Sequence, residues 1–311
     1  MTRIAVFGEM LVDQFATGPV VGGAPFNVAR HLAALGHQPL MISAVGADAA
    51  AKPVLAELVR YAMADTGVQV LPALATGTVD VTSLPGGGHE FHIRGACAWD
   101  AIEAAPARQA IAALTADGWL YCGTLALRSP VSRSTSLALM RDHAGPTYQD
   151  LNWREGHVDS TVALQAVDLA DVLKVNEEEL LMLGGWLGME GVGHGLDACA
   201  RLVLARCKLD LLVVTRGADG ALAFDAAGHC TVQGASRRTV RLVDTVGAGD
   251  AFSAVMLAGL LRGWPMADAL ARANAFAGHL CEVRGAVPPD TAAYARWTAD
   301  WPEMNSQHGS R

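Results

Sequence analysis

The sequence lacks the glycine-rich signatures of two large classes of nucleotide-binding protein. It has no Gly-x-x-x-x-Gly-Lys-Ser/Thr segment, and no Gly-x-Gly-x-x-Gly follows its first apolar segment. Both signatures form loops whose backbone amides hold phosphates. Their absence argues against a P-loop kinase and against a dehydrogenase with a dinucleotide-binding fold.

The chain also lacks a surplus of positive charge and the spacings of a metal centre. Its 23 Lys and Arg residues stand against 31 Asp and Glu residues, a net charge of −8. Non-specific binding of nucleic acid or of an anionic membrane needs a basic surface, so we expect neither partner. The 6 cysteines contain no Cys-x-x-Cys pair, and the histidines form no zinc spacing. The cysteines are therefore interpreted as small buried residues of a reducing compartment.

No segment approaches the roughly 18 to 20 uninterrupted apolar residues that a membrane-spanning helix needs. The short apolar segment Ile4–Phe7, which ends at Gly8, predicts a buried strand rather than a signal peptide. We therefore expect a soluble, cytoplasmic protein.

The sequence has enough apolar residues for a large core, and its predicted strands alternate with predicted helices. Hydrophobic residues make up 51% of the 311 residues and charged residues 17%. This length allows one large α/β domain or two smaller ones. Apolar segments with the length of strands alternate with segments with the length of helices, which predicts a doubly wound, mostly parallel sheet flanked by helices.

The predicted elements have the following bounds. After Ile4–Phe7, the predicted strands are 39–45, 118–122, 147–150, 171–175, 211–215 and 220–224. The predicted helices are 27–35, 53–66, 130–143, 177–183, 195–206, 250–261, 266–281 and 291–299.

One segment departs from this alternation. Gly77–Leu84 and His89–Arg94 each alternate polar with apolar residues, and Gly86, Gly87 and Gly88 stand between them. The pattern predicts a β-hairpin. Its position between two βα units indicates a small sheet inserted in the main domain, with an ordinary edge hairpin as the alternative.

The most informative segment is Asp244–Asp250, which an apolar run follows directly. Gly247 and Gly249 allow a tight turn, and the apolar run predicts a helix, so the backbone amides of the turn lie at a helix N-terminus, where anions bind. Asp250 is a carboxylate placed beside this anion site. It could accept a proton from a hydroxyl group while the amides hold the phosphoryl group that the hydroxyl attacks. The alternative is a turn in which Asp250 only caps the helix.

A second segment, Gly22-Gly23-Ala24-Pro25-Phe26-Asn27-Val28-Ala29 continuing to Leu35-Gly36, accompanies the first. Together the two segments resemble the N-terminal and C-terminal signatures of the PfkB, or ribokinase-like, family of sugar and nucleoside kinases. The resemblance extends from Ile4 to about Pro288. It implies an ATP-dependent sugar kinase that uses Mg²⁺.

The resemblance also implies an organisation. Residues 1–311 form a single ribokinase-like kinase domain, and strands from about 12–21 and 77–97 form a small β-sheet lid over the sugar. In several relatives such lids pair two subunits, so a homodimer through the lid is an open expectation.

The resemblance assigns the chemistry and the acceptor sugar to particular residues. Asp250 is the catalytic base, and the amides of Gly247, Ala248 and Gly249 stabilise the transferred group. Asp13 follows the first strand, where ligands of open parallel sheets bind, and corresponds to an aspartate that holds two sugar hydroxyls. The other sugar contacts are Gly22, Gly23, Asn27, the hairpin residue Arg94, and the strand-end residues Asp150, Asn152 and Arg154.

The resemblance also assigns residues to the binding of the nucleotide and of metal ions. Asn176 and Glu179 resemble the Asn-x-x-Glu element, in which the glutamate acts on Mg²⁺ through bound water; a glutamate-rich helix start is the competing explanation. Thr215, Gly217 and Gly220 resemble the nucleotide loop, and Asn274 resembles a position near the adenine. Asp244 and the carbonyls after it resemble a monovalent-cation loop, and the sequence leaves binding of K⁺ open.

The acceptor is the least determined feature. The loop Gly22–Asn27 is most similar to fructokinases, which have a small residue at the position of Phe26, so fructose is the favoured acceptor. Arg94 ends a segment similar to that of fructokinases and 2-keto-3-deoxygluconate kinases, although His92 and Ile93 replace its tyrosine. 2-Keto-3-deoxygluconate, ribose and a nucleoside remain open, as does a non-catalytic sugar- or nucleotide-binding regulator on the same fold.

Overall fold

The computed structural model describes residues 2–83, 89–189, 195–234 and 242–301. The chain divides into two compact units, of which unit 1 comprises residues 1–33 and 38–169 and unit 2 comprises residues 34–37 and 170–311. The predicted turn at Gly86–Gly88 lies outside the described residues. Among the residues that are described, no helix is both long and apolar enough to cross a membrane.

Unit 1 contains a parallel sheet, a second small sheet and five α-helices. Its strands are β1 (Thr2–Phe7), β2 (Leu11–Phe15), β3 (Gly18–Gly22), β4 (Pro39–Val45), β5 (Val68–Val70), β6 (Gly77–Ser83), β7 (His89–Ile93), β8 (Leu114–Gly123) and β9 (Thr147–Asp150). Its helices are α1 (Ala24–Ala34), α2 (Ala51–Arg60), α3 (Ala104–Ile111), α4 (Pro130–Asp142) and α5 (Ser160–Val167).

The larger sheet of unit 1 has the order β5-β4-β1-β8-β9 with all neighbours parallel. Its central strands are continuous apolar runs: Ile4, Ala5, Val6 and Phe7 are buried, and so is every residue of β4. Strands with helices on their faces bury both sides, which is why these runs do not alternate.

The second sheet of unit 1 has the order β3-β2-β6-β7. β2 pairs antiparallel with β3 and parallel with β6, and β6 pairs antiparallel with β7. The predicted pairing of 77–84 with 89–94 is therefore confirmed. The organisation of residues 1–311 as one domain with these strands as a lid stays a prediction.

Unit 2 begins its sheet with parallel strands and ends it with antiparallel ones. Its elements are β10 (Val172–Asn176), α6 (Glu177–Trp186), α7 (Leu196–Cys207), β11 (Leu211–Thr215), β12 (Ala221–Asp225), β13 (Cys230–Gln233), α8 (Ala248–Arg262), α9 (Met266–Leu280) and α10 (Ala295–Thr298). β10 and β11 are parallel, whereas β12 is antiparallel to both β11 and β13. The predicted α/β class with mostly parallel strands is confirmed.

Several predicted boundaries were wrong for local reasons. The helix predicted to reach Thr66 ends at Arg60, because Ala62 has a positive φ of 51° and its N–H turns back to the carbonyl of Val59. Residues 291–299 form a 3-10 turn followed by the short α10 rather than one helix. Helices α3 and α5 and strands β5 and β13 were not predicted.

The close contact of α8 with α9 in unit 2 depends on Gly259. A Cβ at this position would lie 2.8 Å from an aromatic carbon of Trp264 and 3.0 Å from the Cβ of Ala269. We expect Gly259→Ala to lower the free energy of unfolding by about 1–3 kcal/mol, the usual cost of overpacking. Thermal unfolding measures the effect.

Gly185 in α6 provides the matched control, since nothing lies within 4 Å of a Cβ added there. Gly185→Ala should be neutral or raise the stability by up to about 1 kcal/mol, the helix-propensity gain of alanine. If Gly259→Ala behaved like the control, close packing at Gly259 would be refuted.

Candidate active site

The first turn of α1 lies on the carboxyl ends of β1 and β8. Gly8 follows β1 and Gly123 ends β8, and a Cβ at either position would press against the ring of Pro25, which would be 2.9 Å away at Gly123 and would collide at Gly8. Ligands of open α/β sheets bind outside these carboxyl ends. The segment that carries the Gly22–Asn27 motif therefore starts where a ligand site is expected.

Asp13, on β2, lies beside the start of the same motif. A Cβ at Gly22 would collide with Oδ2 of Asp13, and a Cβ at Gly23, whose φ is +106°, would collide with the backbone oxygen of Glu9. Both glycines are thus required by close approach inside unit 1. The structure brings Asp13, Gly22 and Gly23 together, as the predicted sugar site requires.

The carboxylate of Asp13 is electrostatically unusual. Burial raises the pKa of Asp13 from 3.8 to about 6, and the positive charge of Arg30 opposes this rise. In the described part of the chain no hydrogen-bond donor contacts this carboxylate. A buried carboxylate without donors is suited to accept hydrogen bonds from sugar hydroxyls.

Asn27, in α1, is held by a neighbouring arginine. The Arg30 guanidinium donates a 2.5 Å hydrogen bond to Oδ1 of Asn27. Sequence reasoning had Asn27 offering both a donor and an acceptor to the ligand. In the structure the Arg30 guanidinium faces the carbonyl oxygen of Asn27, so the amide nitrogen lies on the other side of the planar group, and the role of Asn27 toward the sugar stays a prediction.

The remaining predicted sugar contacts lie at two other places in unit 1. Asp150 ends β9, is buried, and accepts a 3.1 Å hydrogen bond from the hydroxyl of Tyr121. Asn152 has a positive φ of 36°, which turns the chain before the exposed Arg154. Arg94 forms a two-bond ion pair with Asp80 on β6. Within the described residues, neither Arg94 nor Arg154 bonds to Asp13 or Asn27.

Positive charge gathers around the segment after β9. The pKa of His157 is lowered by burial and by the charges of Arg128, His92 and Arg154. Arg128 is neutralised by a two-bond ion pair with Asp100, whereas Arg154 has no partner in the described residues. Within the described residues, Arg154 is therefore the positive charge of this region that has no ion pair, because a histidine with a lowered pKa is neutral near pH 7.

The predicted anion loop of unit 2 has the expected geometry. Gly247 takes a left-handed conformation with a φ of 80°, and α8 begins at the next residue. A Cβ at Gly247 would lie 2.5 Å from the Cα of Ala286, so only glycine fits. The amide of Ala248 donates to the carbonyl of Thr245, which leaves the amides of Gly247 and Gly249 as the loop's candidate anion donors.

Asp250 lies in the first turn of α8 and is only 8% exposed. The side chain of Lys174, a residue of β10 that is 6% exposed, approaches the same turn: its Nζ would lie 3.3 Å from a Cβ at Gly249. The loop thus combines backbone amides, a buried carboxylate and a buried ammonium group. Such a set can hold a phosphoryl group and accept a proton beside it.

One cavity of about 540 Å³ joins the loop to the predicted nucleotide residues. Its walls include Thr215, Gly217, Gly220, Asn274, Ala248 and Gly249. Its other walls are mostly apolar, among them Leu242 and Phe252. This volume is within the range of cofactor sites, and apolar walls suit a nucleobase. Asn274 itself donates to the carbonyl of Gly234 at 3.3 Å.

Asn176 and Glu179 form a reciprocal capping box at the start of α6. The amide of Glu179 donates to Oδ1 of Asn176, and the amide of Asn176 donates to Oε2 of Glu179, both at 2.8 Å. Asn176 and Glu179 therefore do cap the start of a helix, as the competing explanation for this motif predicts. Asn176 also pairs in register with Thr215, which places it beside the nucleotide loop.

Asp244 organises the backbone before α8. Its Oδ1 accepts from the amide of Val246 and its Oδ2 from the amide of Gly285, both at 3.0 Å. These bonds fix the loop whose carbonyls were predicted to hold K⁺. The assignment of Asp244 to a cation site stays a prediction.

Glu179 fits a magnesium ion that is held mainly by substrate. Mg²⁺ keeps several waters and is usually bound by one or two carboxylates together with phosphates. Glu179 is a buried carboxylate of this kind. No cluster of three or more His, Cys, Asp or Glu side chains that could hold a metal occurs in the described residues. A cage made of protein ligands alone is thus not part of the described site.

Comparison with known proteins decides the family. Residues 2–292 match the pfkB family carbohydrate kinase. The chain belongs to the pfkB family of carbohydrate kinases. It is an ATP-dependent sugar kinase, and the resemblance drawn from its two signatures is confirmed.

Individual relatives agree with this. A fructokinase of Klebsiella pneumoniae is 31% identical over 278 residues, which cover 83% of this chain and 84% of that protein. An aminoimidazole riboside kinase of Salmonella typhimurium is 29% identical over 309 residues, covering 92% and 91%. The crystal structure of a double mutant of the Vibrio cholerae O395 fructokinase, with fructose, ADP and potassium ion, superimposes with a TM-score of 0.79 at 26% identity and covers 96% and 98% of the two chains.

Sequence reasoning missed two residues of this pfkB kinase that contact predicted site residues. Lys174 is a charged residue inside an otherwise apolar strand, which is the signal that could have identified it. Arg30 stands three positions after Asn27 in a predicted helix, a spacing that puts both on one face. Neither signal names the partner, because that depends on the packing of distant segments.

The raised pKa of Asp13 predicts a pH-dependent effect on stability. Because the folded pKa lies above the unfolded value, the ionised carboxylate costs stability as pH rises from 3.8 to about 6. We expect Asp13→Asn to be more stable than the parent at about pH 8, by up to roughly 3 kcal/mol, and equal to it near pH 4. Thermal unfolding at both pH values measures this.

Asp80→Asn is a control for which we expect the opposite change in stability at about pH 8. Its hydrogen bond with Arg94 lowers the pKa of Asp80, so this substitution should lose stability at about pH 8. An Asp13→Asn protein that is less stable than the parent at pH 8 would contradict the electrostatic description of the site.

Proposed function

We propose that this kinase transfers the γ-phosphoryl group of ATP to a primary hydroxyl of fructose, with Asp250 as the catalytic base. The observation that carries the chemistry is the buried Asp250 in the first turn of α8, directly after the left-handed Gly247. The family makes the reaction a phosphoryl transfer to a carbohydrate hydroxyl.

The proposed step moves one proton and one phosphoryl group. The acceptor oxygen attacks the γ-phosphorus, its proton passes to the carboxylate of Asp250, and the bond between the γ-phosphorus and the bridging oxygen of ADP breaks.

The loop stabilises the negative charge that spreads over the transferred group. The amides of Gly247 and Gly249 are oriented by the helix start, so they need no rearrangement during the reaction. The amide of Ala248, which donates to Thr245, can join them if that bond opens. Lys174 brings a positive charge to the same turn. Mg²⁺, held through Glu179 and water, supplies neutralisation of the β- and γ-phosphates when bound.

Nucleotide and acceptor are assigned to the residues described above. Thr215, Gly217, Gly220 and Asn274 line the cavity proposed for the nucleotide, with Asn176 beside it. Asp13 accepts hydrogen bonds from sugar hydroxyls, and the amide nitrogen of Asn27 donates one. We also propose that the second sheet is the lid; its exposed Val20 and Phe91 are the apolar residues that a homodimer contact would cover.

Fructose is supported by the relatives and by the loop sequence. The fructokinases of Klebsiella pneumoniae and Salmonella typhimurium match over 83% of this chain at 31% and 30% identity. The loop Gly22–Asn27 has the fructokinase pattern with Phe26 in place of a small residue. Phe26 is fully buried, so it packs beneath the loop.

A second acceptor, 2-keto-3-deoxygluconate, is favoured by Arg154. A sugar acid carries a carboxylate, and Arg154, which has no partner in the described residues, offers a planar two-donor contact for it. Fructose offers Arg154 only neutral hydroxyl groups, which gain much less from this charge than a carboxylate does. The two acceptors therefore make opposite predictions for the removal of Arg154.

Asp250→Asn tests the catalytic assignment. We expect kcat to fall by about 10² to 10⁴, the usual contribution of a positioned base, while ATP binding is retained because the loop amides are unchanged. A coupled ADP-release assay measures kcat, and calorimetry measures ATP binding. Near-normal turnover would refute Asp250 as the base.

Arg154→Met separates the two acceptors. If the acceptor is fructose, its kcat/KM should stay within about twofold of the parent; if it is 2-keto-3-deoxygluconate, kcat/KM should fall by about tenfold or more through loss of a charge-assisted contact. Arg141→Met, at an exposed arginine of α4, is the matched control for charge. The assay is run with fructose, 2-keto-3-deoxygluconate, ribose and adenosine, and turnover of ribose or adenosine alone would refute both acceptors.

A further inference from the structure

Arg30 is a buried cation of unit 1 for which sequence reasoning gave no role. Its side chain contacts three different elements while only 5% of the residue is exposed. It donates to Oδ1 of Asn27 in α1 at 2.5 Å, to the carbonyl of Val21 in β3 at 2.9 Å, and to Oε2 of Glu57 in α2 at 3.0 Å. Burying a guanidinium is costly unless its donors are used, and these three bonds engage both terminal nitrogens, whereas the buried Nε has no hydrogen-bond partner among the described residues.

We propose that Arg30 is the positioning residue of the acceptor site, bonded to Asn27 on one side and lying beside Asp13 on the other. This rests on the proposed function, since Asp13 and Asn27 are its sugar-binding residues. Arg30 does not touch the sugar. It acts through the two residues that do.

The orientation of the Asn27 amide follows from hydrogen-bond chemistry. A guanidinium has only donors, so the atom of Asn27 that faces it must be the carbonyl oxygen. The nitrogen of the same planar amide must then point to the opposite side. Arg30 thereby makes Asn27 a fixed donor, which matches a sugar oxygen and rejects the alternative amide orientation.

The second effect of Arg30 is electrostatic and acts on Asp13, which the pairing of β2 with β3 places nearby. Asp13 pairs with Val20 across β2 and β3, and the neighbouring Val21 gives its carbonyl to Arg30. Burial raises the pKa of Asp13 to about 6, and the charge of Arg30 opposes that rise.

Other titratable side chains lie on the elements packed around this place: Glu9, His31, Glu57, Arg60 and Asp80. Among the described residues, Arg30 is the charged group that shifts the pKa of Asp13. Without it, the carboxylate would be protonated at higher pH and would lose its capacity to accept two sugar hydroxyls.

Arg30→Met and Arg30→Lys separate orientation from charge. For Arg30→Met we expect the sugar KM to rise by about tenfold, the ATP KM to stay unchanged, and the acid limb of kcat/KM for the sugar to move up by about one pH unit. For Arg30→Lys we expect the acid limb to stay near its parental position because the charge is kept, whereas the sugar KM rises because the two-donor fork is lost.

Arg60→Met is the matched control. Arg60 bonds to the other carboxylate oxygen of Glu57 at 3.1 Å, and its side chain is 40% exposed. Its removal takes away a nearby arginine without touching Asn27, so the acid limb and both KM values should match the parent.

The same pKa can be measured without turnover. Carboxyl ¹³C NMR of the purified kinase gives the Asp13 titration, identified by the signal that Asp13→Asn removes, and Arg30→Met should raise it. This separates the two proposals. If the parent phosphorylates no acceptor of the panel, the proposed function fails while the NMR titration still tests Arg30.

A merely structural role for Arg30 would lower the amount of folded enzyme and the thermal midpoint but leave the acid limb and the Asp13 titration in place. That result in Arg30→Met would overturn the proposal. If Arg30→Met does not fold, Glu57→Gln replaces it, because this substitution weakens one of the three hydrogen bonds that hold the guanidinium of Arg30. An unchanged sugar KM in both Glu57→Gln and Arg30→Lys would also overturn the proposal.

Discussion

The acceptor side of this kinase depends on how closely one proline approaches two strand ends. Pro25 occupies the space that a Cβ at Gly8 or at Gly123 would need. Because these positions are glycine, the first turn of α1 lies directly on the carboxyl ends of β1 and β8. The position of Asn27, which follows Pro25 in α1, depends on that approach, whereas the closeness of Gly22 to Asp13 comes from the pairing of β2 with β3.

A similar constraint governs the nucleotide side in unit 2. The left-handed Gly247 fits against Ala286 only because it has no Cβ, and Asp244 fixes the preceding turn through the amides of Val246 and Gly285. A chain that turns this tightly points successive amides outward from the helix start. The phosphate-binding capacity proposed for the loop would therefore be a property of backbone geometry, with Asp250 as the proposed proton acceptor.

Buried charge is concentrated at these two places. The buried ionisable side chains among the described residues include Arg30 and Asp150 in unit 1 and Lys174, Glu179 and Asp250 in unit 2. Burial of charge is unfavourable unless it is paired or used. Some of the cost is offset by local bonds, as in the capping box of Asn176 and Glu179. The charge of Arg30 offsets only part of the cost at Asp13, as the raised pKa of Asp13 shows, and carboxylates with perturbed pKa values cluster at functional sites.

The sequence by itself determined the α/β class, the family and the positions of the two glycine motifs. Strands 39–45, 147–150 and 211–215 have their predicted bounds because short apolar runs between turn residues are local signals. Gly247 and Asp250 were assigned from the resemblance of their segment to a family signature, which is also a local pattern. Tertiary structure decided that Arg30 takes the acceptor oxygen of Asn27, that Lys174 reaches Gly249, and that α2 stops at Arg60. The approach of Lys174 to Gly249 depends on packing between segments distant in the chain, which no local pattern encodes. The other two features are local, but they depend on which rotamer Arg30 adopts and on the left-handed conformation of Ala62, which the residue pattern does not specify.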